Sequence, residues 1–560
     1  MLLEKRLTKL YREKTILDMI SPVIGAVWCV KERSMPSSVD FSGRPFHFIG
    51  IGGIGMSALA YILAKRNLPI SGSDLQTTHI TQRLQTLGAH IFWSQDASNF
   101  AAIPPQIDPN STPKSLNLGQ TNGSEQAVMI TTGMIEPKLN GKASPSMHLP
   151  QVICSTAIHP ENSEYKAALE LGCPIFHRSD LLAALIEEYQ SIAVAGTHGK
   201  TTTSSLIAYM MLKTGLDPTI LVGGEVSAWE GNARVGQSPY LVAEADESDG
   251  SLVKFAPAIG IITNIELDHP DHYESLDQVV STFEVFAQHC KTLIGCIDCQ
   301  TLRERIQPHI SYSLNPNSGA DYTVEAVEYH SEGSQAQVWE RGQLLGELHV
   351  KLLGQHNLQN ALAAVAVGRY LGLEFSSIAQ AIATFEGAKR RFEHRGSCNG
   401  ILFVDDYAHH PSEIRATLAA ARLRKTPGSP SNPQVKRVVA IFQPHRYSRT
   451  QAFLSEFAQC FSDADRVVVT DIYSAGEPNT TQINGQQLAD LIATYHPQVD
   501  YRQSLDSVKT LLTEILQPGD LALFLGAGNL NKIIPEALAF YQSQHQPEVE
   551  PRQPSARSTR

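Results

Sequence analysis

A chain of 560 residues with a net charge of −11 is too long for one hydrophobic core, and its length suggests three or four domains. An apolar share of 42% supplies ordinary buried cores, while 18% charged residues with no Lys/Arg stripe exclude bulk nucleic-acid binding. Local sites for anionic metabolites remain open, and eight scattered cysteines fit a reduced, cytoplasmic compartment.

At the N-terminus, the basic run KRLTKLYREK precedes ILDMISPVIGAVWCV, an order resembling a secretory signal. The apolar stretch is too short to span a bilayer, contains Asp18 and Pro22, and lacks a small-residue cleavage site. Residues 1–44 are therefore expected to be a poorly ordered extension, with Met35 as a natural second start and no membrane insertion.

From residue 45 onward, short β-branched runs alternate with helical patterns, which predicts parallel α/β domains. FHFIG (46–50) reads as a strand entering a glycine loop, followed by the helix MSALAYILAKRN. Residues 101–150 are rich in Pro, Asn, Ser and Gly around one strand-like run, AVMITTG, and read as a surface insertion. The α/β pattern resumes at VICSTAI.

A second block opens with the strand SIAVAG (191–196) and continues through YLVAEA and IGIITNI. An alternating region follows at 310–352, then HNLQNALAAVAVGRYLG, expected as an amphipathic helix. The third block holds the strands ILFVDDY, KRVVAIF, RVVVTDI and DLALFLG. Three α/β domains result, at 45–188, 189–390 and 391–545, with a disordered tail at 546–560. The first and third are expected to be Rossmann-like and the central one P-loop ATPase-like.

Gly50-Ile-Gly52-Gly53-Ile-Gly55 fits G-x-G-x-x-G between a strand and a helix, and Asp74 follows at the distance of a ribose-binding acid. Alone, this pattern suggests a dinucleotide, but backbone N–H groups at a helix N-terminus suit any nucleotide diphosphate. The stretch Gly196-Thr197-His198-Gly199-Lys200-Thr201-Thr202 is a phosphate loop with a shortened spacer. Lys200 can neutralise β/γ-phosphate charge, and the Thr201 hydroxyl can ligate magnesium.

Carboxylates follow at the next strand end: Glu244, Asp246, Glu247 and Asp249. Such a cluster repels itself unless cations neutralise it, although a solvated acidic loop is the plainer alternative. Asn264, Asp268, His269, Asp271 and His272 form a second polar knot, in which His269 is a candidate metal ligand. Asn357 and Asn360 lie one helical turn apart after His356 and could bond a base edge or cap the helix. In the third block, Asp406, Tyr407 and His409, then His445 and Arg449, form strand-end clusters suited to gripping carboxylates. Cys296-Ile-Asp-Cys299 has redox or zinc spacing but no partner ligands, and reads as strand-end residues.

Together GIGGIGMSALA, CSTAIHPEN, AGTHGKTTT, EADESDGS, TNIELDHPDHY, HNLQNALAA, RRFEHRG, DDYAHHPSEI and FQPHRYSRT, in that order over residues 45–540, resemble the Mur ligase family of peptidoglycan synthesis. The resemblance implies that ATP phosphorylates the lactyl carboxylate of UDP-N-acetylmuramate and that L-alanine then displaces the phosphate. It implies that Thr201 and Glu244 hold one Mg2+, that His269 lies near a second, and that Lys200 and Arg391 steady the phosphoryl group. His356, Asn357 and Asn360 would face adenine, Asp406 the ribose, and Tyr407, His409, His445 and Arg449 the alanine. Gly50, Gly52, Gly53, Gly55 and Asp74 would then hold the UDP-sugar rather than a redox cofactor. The extension, insertion and tail have no counterpart in the family pattern, and the insertion could alter access for the UDP-sugar. A related ligase adding a peptide or another amino acid, a nicotinamide-dependent oxidoreductase and a non-catalytic nucleotide-binding regulator remain alternatives. Monomer or homodimer stays open.

Overall fold

The apolar runs pair into three separate sheets. A computed structural model describes residues 38–103, 149–425 and 435–543. Residues 1–37 of the expected N-terminal extension, nearly all of the 101–150 insertion with its AVMITTG run, and the tail lie outside the described residues, whereas 38–44 are described, with Phe41 stacked on Phe46 and Arg44 Nε bonded to Leu149 O.

The first sheet contains β1 (Phe46–Ile49), β2 (Ile70–Ser73), β3 (His90–Phe92), β4 (Gln151–Cys154) and β5 (Ile175–His177). Its order is β3-β2-β1-β4-β5, with every pairing parallel. This is the Rossmann half-order, which opens a crevice beside β1 at the carboxyl end of the sheet. Gly50 leaves β1 with φ +79°, a left-handed turn that glycine tolerates.

The central sheet contains β6 (Gln190–Ala195), β7 (Thr219–Val226), β8 (Gly231–Arg234), β9 (Tyr240–Glu244), β10 (Ile259–Ile262), β11 (Thr292–Cys296) and β12 (Ile310–Tyr312). It continues through β13 (Tyr322–His330), β14 (Gly333–Glu340) and β15 (Gln343–Val350). The order is β15-β14-β13-β12-β11-β10-β6-β9-β7-β8. The alternating region at 310–352 is thus mainly the antiparallel ribbon β13–β15 extending a parallel core.

The third sheet contains β16 (Glu393–Cys398), β17 (Ile401–Asp406), β18 (Arg437–Phe442), β19 (Arg466–Thr470), β20 (Val499–Arg502) and β21 (Asp520–Leu525). Its order is β16-β17-β21-β18-β19-β20, parallel apart from β16. The last strand in the chain therefore separates β17 from β18, and the two motif-bearing strand ends face each other across it.

The helix Gln355–Tyr370 differs from the amphipathic expectation. It is buried on nearly every side, including Leu358 and every residue from Asn360 to Gly368. Its alanines let it lie against the helix Lys200–Lys213 in the largest apolar core, and an all-round apolar helix belongs in an interior. Leu362→Ala should therefore lower stability by about 2–5 kcal/mol, read as a fall in the denaturation midpoint. An unchanged midpoint would mean that this helix is not packed as described.

Candidate active site

In the first sheet, the Asp74 carboxylate accepts the Gly52 N–H at 2.8 Å and the Gln76 N–H at 3.1 Å. A Cβ on Gly52 would stand 2.7 Å from Asp74 Oδ2, so the close approach requires glycine. Asp74 thus braces the loop, and Gly53 caps the helix Ile54–Lys65 that begins there, with Gly55 in its first turn.

In the central sheet, β6 runs into the phosphate loop and the helix Lys200–Lys213. Gly196 and Gly199 have φ of +136° and +81°, the left-handed region that glycine permits. The Thr197 and His198 N–H groups bond Asn264, which ties the loop to the end of β10. Lys200 Nζ donates to Gly196 O at 2.7 Å and to both Glu247 oxygens at 3.0 and 2.8 Å. Burial disfavours its charge, but Glu247, Asp246 and Glu244 outweigh that effect and hold the ammonium above the usual lysine range. The Glu247 carboxyl is pushed up to about 7 by burial, against the opposing pull of Lys200.

Among the described residues three groups have the donors to take a divalent cation; one, His198 with Glu266 and His410, lies on the far side of the phosphate loop, and two flank Lys200. Thr201 Oγ1 donates to Glu244 Oε1 at 3.1 Å, and Glu244 Oε2 accepts the Gly223 N–H at 2.7 Å. That pair offers hard oxygens beside a phosphate loop, a donor set suited to magnesium. In the other group, ligand atoms of Asp246, Glu247 and His269 lie within 4.8 Å of one another. Thr202 lines the neighbouring cleft.

Residues of the third block close over this surface. Arg391 Nη2 lies 3.3 Å from Thr201 Oγ1, and its guanidinium stands 5.2 Å from the Tyr407 ring centroid. His198 sits between Glu266 and Glu413, at 3.3 and 3.4 Å, and Ser412 Oγ donates to Glu266 at 2.7 Å. Burial alone would lower the His198 pKa, yet bonds to both glutamates raise it to about 10, so the imidazole is a cation at neutral pH. Glu266 is correspondingly held down to about 2; burial opposes this, and His198 outweighs it. Arg449 Nε donates to Asp268 Oδ1 at 2.8 Å, with both side chains almost fully buried. His409 and His445 are pushed down to about 4 and 3, chiefly by burial, so both imidazoles are neutral.

A cleft of about 1430 Å³ opens between the central and third sheets. Its walls include His198, Gly199, Thr202, His356, Asn357, Asn360, Arg391 and Asp406. His356 is pushed down to about 4 by burial. Asn360 Nδ2 donates to Asn357 Oδ1 at 3.2 Å, and Asn357 Nδ2 donates to Leu353 O at 2.8 Å. Asp406 accepts the Phe392 and Ala408 N–H groups at 2.7 and 2.8 Å, and burial raises its carboxyl to about 6. Tyr407, His445 and Arg449 do not line this cleft. They gather beside it, where the His409 and His445 rings lie 5.7 Å apart.

Glu413 escaped the sequence reading, although it accepts the His409 N–H at 3.0 Å and faces His198. Its signal was the capping pattern His410-Pro-Ser-Glu413, in which the acid at the third helical position bonds back to the cap. The sequence offers Asp268 only as part of a polar knot, and Glu266 only within the run TNIELDHPDHY. Cys296 is buried, its thiol pushed up to about 12 by burial, as a strand-end residue should be.

Three Mur ligase models match consecutive stretches: the family's catalytic domain at 45–190, its middle domain at 194–368, and its glutamate ligase domain at 390–528. A UDP-N-acetylmuramate–L-alanine ligase of Nostoc punctiforme is 64% identical over 507 residues, covering 90% of this chain and 98% of that protein. The chain belongs to the Mur ligase family. The enzyme of the same name from Trichodesmium erythraeum is 63% identical, over 91% of this chain and 98% of its own length. Among solved structures, the UDP-N-acetylmuramate–alanine ligase of Thermotoga maritima superposes with a TM-score of 0.68 at 27% identity, over 90% of this chain and all of that one. A murein peptide ligase from Psychrobacter arcticus shares the fold, with a TM-score of 0.60 at 21% identity over 89% of this chain and 98% of that one.

As a member of the Mur ligase family, the chain is a ligase of peptidoglycan synthesis, and its central and third sheets meet at His198 and Glu413. The His198 cation joins them. Folding raises its pKa from 6.5 to about 10. Its stabilising contribution is therefore complete below pH 6.5 and is lost as pH rises toward 10. The melting-temperature gap between wild type and His198→Gln should be widest near pH 6 and narrow steadily toward pH 10. A gap that widens with pH would contradict this assignment.

Proposed function

We propose that this chain joins L-alanine to the lactyl carboxylate of UDP-N-acetylmuramate through an acyl phosphate formed from ATP. The observation that carries the reading is the meeting of two kinds of site at one interface. Phosphate-loop residues with hard-oxygen donors stand on one side, and a buried arginine among neutral imidazoles stands on the other. The names of relatives at 60–64% identity, matched along nearly their whole length, support the same substrates.

A carboxylate resists attack by an amine because its leaving group would be an oxide. Transfer of the ATP γ-phosphoryl group to the lactyl oxygen turns that oxygen into a phosphate leaving group. The alanine nitrogen, after losing a proton, attacks the acyl carbon; phosphate departs and an amide remains. Lys200 would exchange Glu247 for phosphate oxygens, and Arg391, already beside Thr201, would approach the same group from the third domain. Thr201 and Glu244 would hold one Mg2+ and His269 with Asp246 would stand near a second, supplying charge neutralisation at the phosphates.

His356, Asn357 and Asn360 form the wall that would receive adenine. Asp406 Oδ2 accepts one backbone N–H and keeps lone pairs for a ribose hydroxyl. The Gly50–Gly55 loop, whose N–H groups from Gly50 to Gly53 are bonded within the loop and to β2 and Asp74, would set the N-terminus of the helix Ile54–Lys65 against the pyrophosphate of the UDP-sugar. Tyr407, His409, His445 and Arg449 would receive L-alanine, with the Arg449 guanidinium on its carboxylate. A cytoplasmic location belongs to the same proposal, because ATP is the co-substrate. Among the described residues, no helix is long and apolar enough to cross a membrane.

Phosphate release from ATP with UDP-N-acetylmuramate should depend on L-alanine within a panel of amino acids and peptides. Turnover with a peptide but not with L-alanine would overturn the substrate assignment. Lys200→Ala should lower kcat by about 10²–10³-fold, as for other losses of transition-state charge stabilisation. Activity near wild type would remove Lys200 from the mechanism.

A further inference from the structure

The buried Arg449 is reached from the central domain by one carboxylate, Asp268, 181 positions away in sequence. An arginine has two forks for a planar anion: Nε with one Nη, and the two Nη groups together. Asp268 Oδ1 occupies Nε at 2.8 Å. Among the described residues, the Nη1 and Nη2 groups make only long contacts, 3.4 Å to His445 Nδ1 and 3.5 Å to His269 Nδ1. Such distances are weak for hydrogen bonds, so a carboxylate on this end would improve on them.

The same oxygen performs a second task. Asp268 Oδ1 accepts the N–H of His269 at 2.7 Å, and His269 has φ +55°, a left-handed conformation uncommon for a residue other than glycine. One oxygen therefore fixes both the arginine of the third sheet and the histidine of the acidic cluster.

We propose that Asp268 is a positioning residue for the amino-acid substrate: by holding Arg449 through Nε, it turns the Nη1/Nη2 fork toward the substrate carboxylate, in register with His269. The proposal rests on the reading of Arg449 as the carboxylate-binding group of an amino-acid ligase. A neighbouring pair, Arg446 with Asp271 at 2.6 Å, also joins the two domains but is more exposed. It supplies an internal control for simple loss of docking.

The experiment is steady-state kinetics of the full-length enzyme with ATP, UDP-N-acetylmuramate and L-alanine. In Asp268→Asn, which is nearly isosteric, KM for L-alanine should rise at least about tenfold, as for loss of one charge-assisted contact. KM for ATP and UDP-N-acetylmuramate should stay within twofold. Asp271→Asn should leave all three near wild type. Because Asp268 acts through Arg449, adding Asp268→Asn to Arg449→Lys should worsen the L-alanine KM no further than Arg449→Lys alone.

A uniform rise in all three KM values with a lowered melting temperature would make Asp268 merely structural and overturn the proposal. So would an L-alanine KM within twofold of wild type. Asp268→Glu keeps the charge but displaces the anchor by one methylene. It should show the same selective defect, and it carries the test if the asparagine variant does not fold. If the wild type ligates a different amino acid, the substrate reading fails while the KM comparison, made with that amino acid, still decides the role of Asp268.

Discussion

A buried ammonium needs a negative partner, and the active site is organised around meeting that need at Lys200. The lysine stands at the start of a buried helix, whose first N–H groups attract anions. In the free protein, Glu247 supplies the counter-charge through both oxygens. Phosphate oxygens of ATP can take over this role with little cost in buried charge, since one anion replaces another. Glu247 is then left among Asp246 and His269, the group best suited to receive a cation. In the proposed site, phosphate and metal would thus be coupled by charge balance.

The second constraint is that the residues proposed to bind the substrate carboxylate lie on a different sheet from the phosphate loop. Buried or largely buried ion pairs hold the two together: Arg449 with Asp268, and His198 with Glu413. Each would be costly if either partner were lost, because the remaining charge would stay out of water. Positive φ values at His269, Arg390, Phe392 and Arg446 fall on this same seam. Strain is held where pre-organisation matters, by bonds such as the Arg390 N–H to Glu393 and the Phe392 N–H to Asp406.

Much of this was legible along the sequence wherever the chemistry lies between near neighbours. The strand, glycine turn, Lys200 and Thr201 occur in one run, so the phosphate loop could be read directly. Asp74 shows where such reading stops: its spacing places an acid at the end of β2, but only the fold shows its carboxylate on the Gly52 N–H. The link from Asp268 to Arg449 depends on which strands lie side by side, and β21, last in the chain, sets the spacing between β17 and β18. The helix Gln355–Tyr370 was misjudged for a related reason. Alanine spacing does not show that partners wait on every side, and only the neighbouring helix and sheet make burial complete.

The central claim is that the two halves of the site meet so that the sugar carboxylate is activated by phosphoryl transfer before the amine attacks. Mass spectrometry of the phosphate released from UDP-N-acetylmuramate labelled with 18O in its lactyl carboxylate tests this directly. Passage through an acyl phosphate predicts one 18O atom in each phosphate formed during L-alanine ligation. Phosphate free of the label, with amide still formed, would contradict the account.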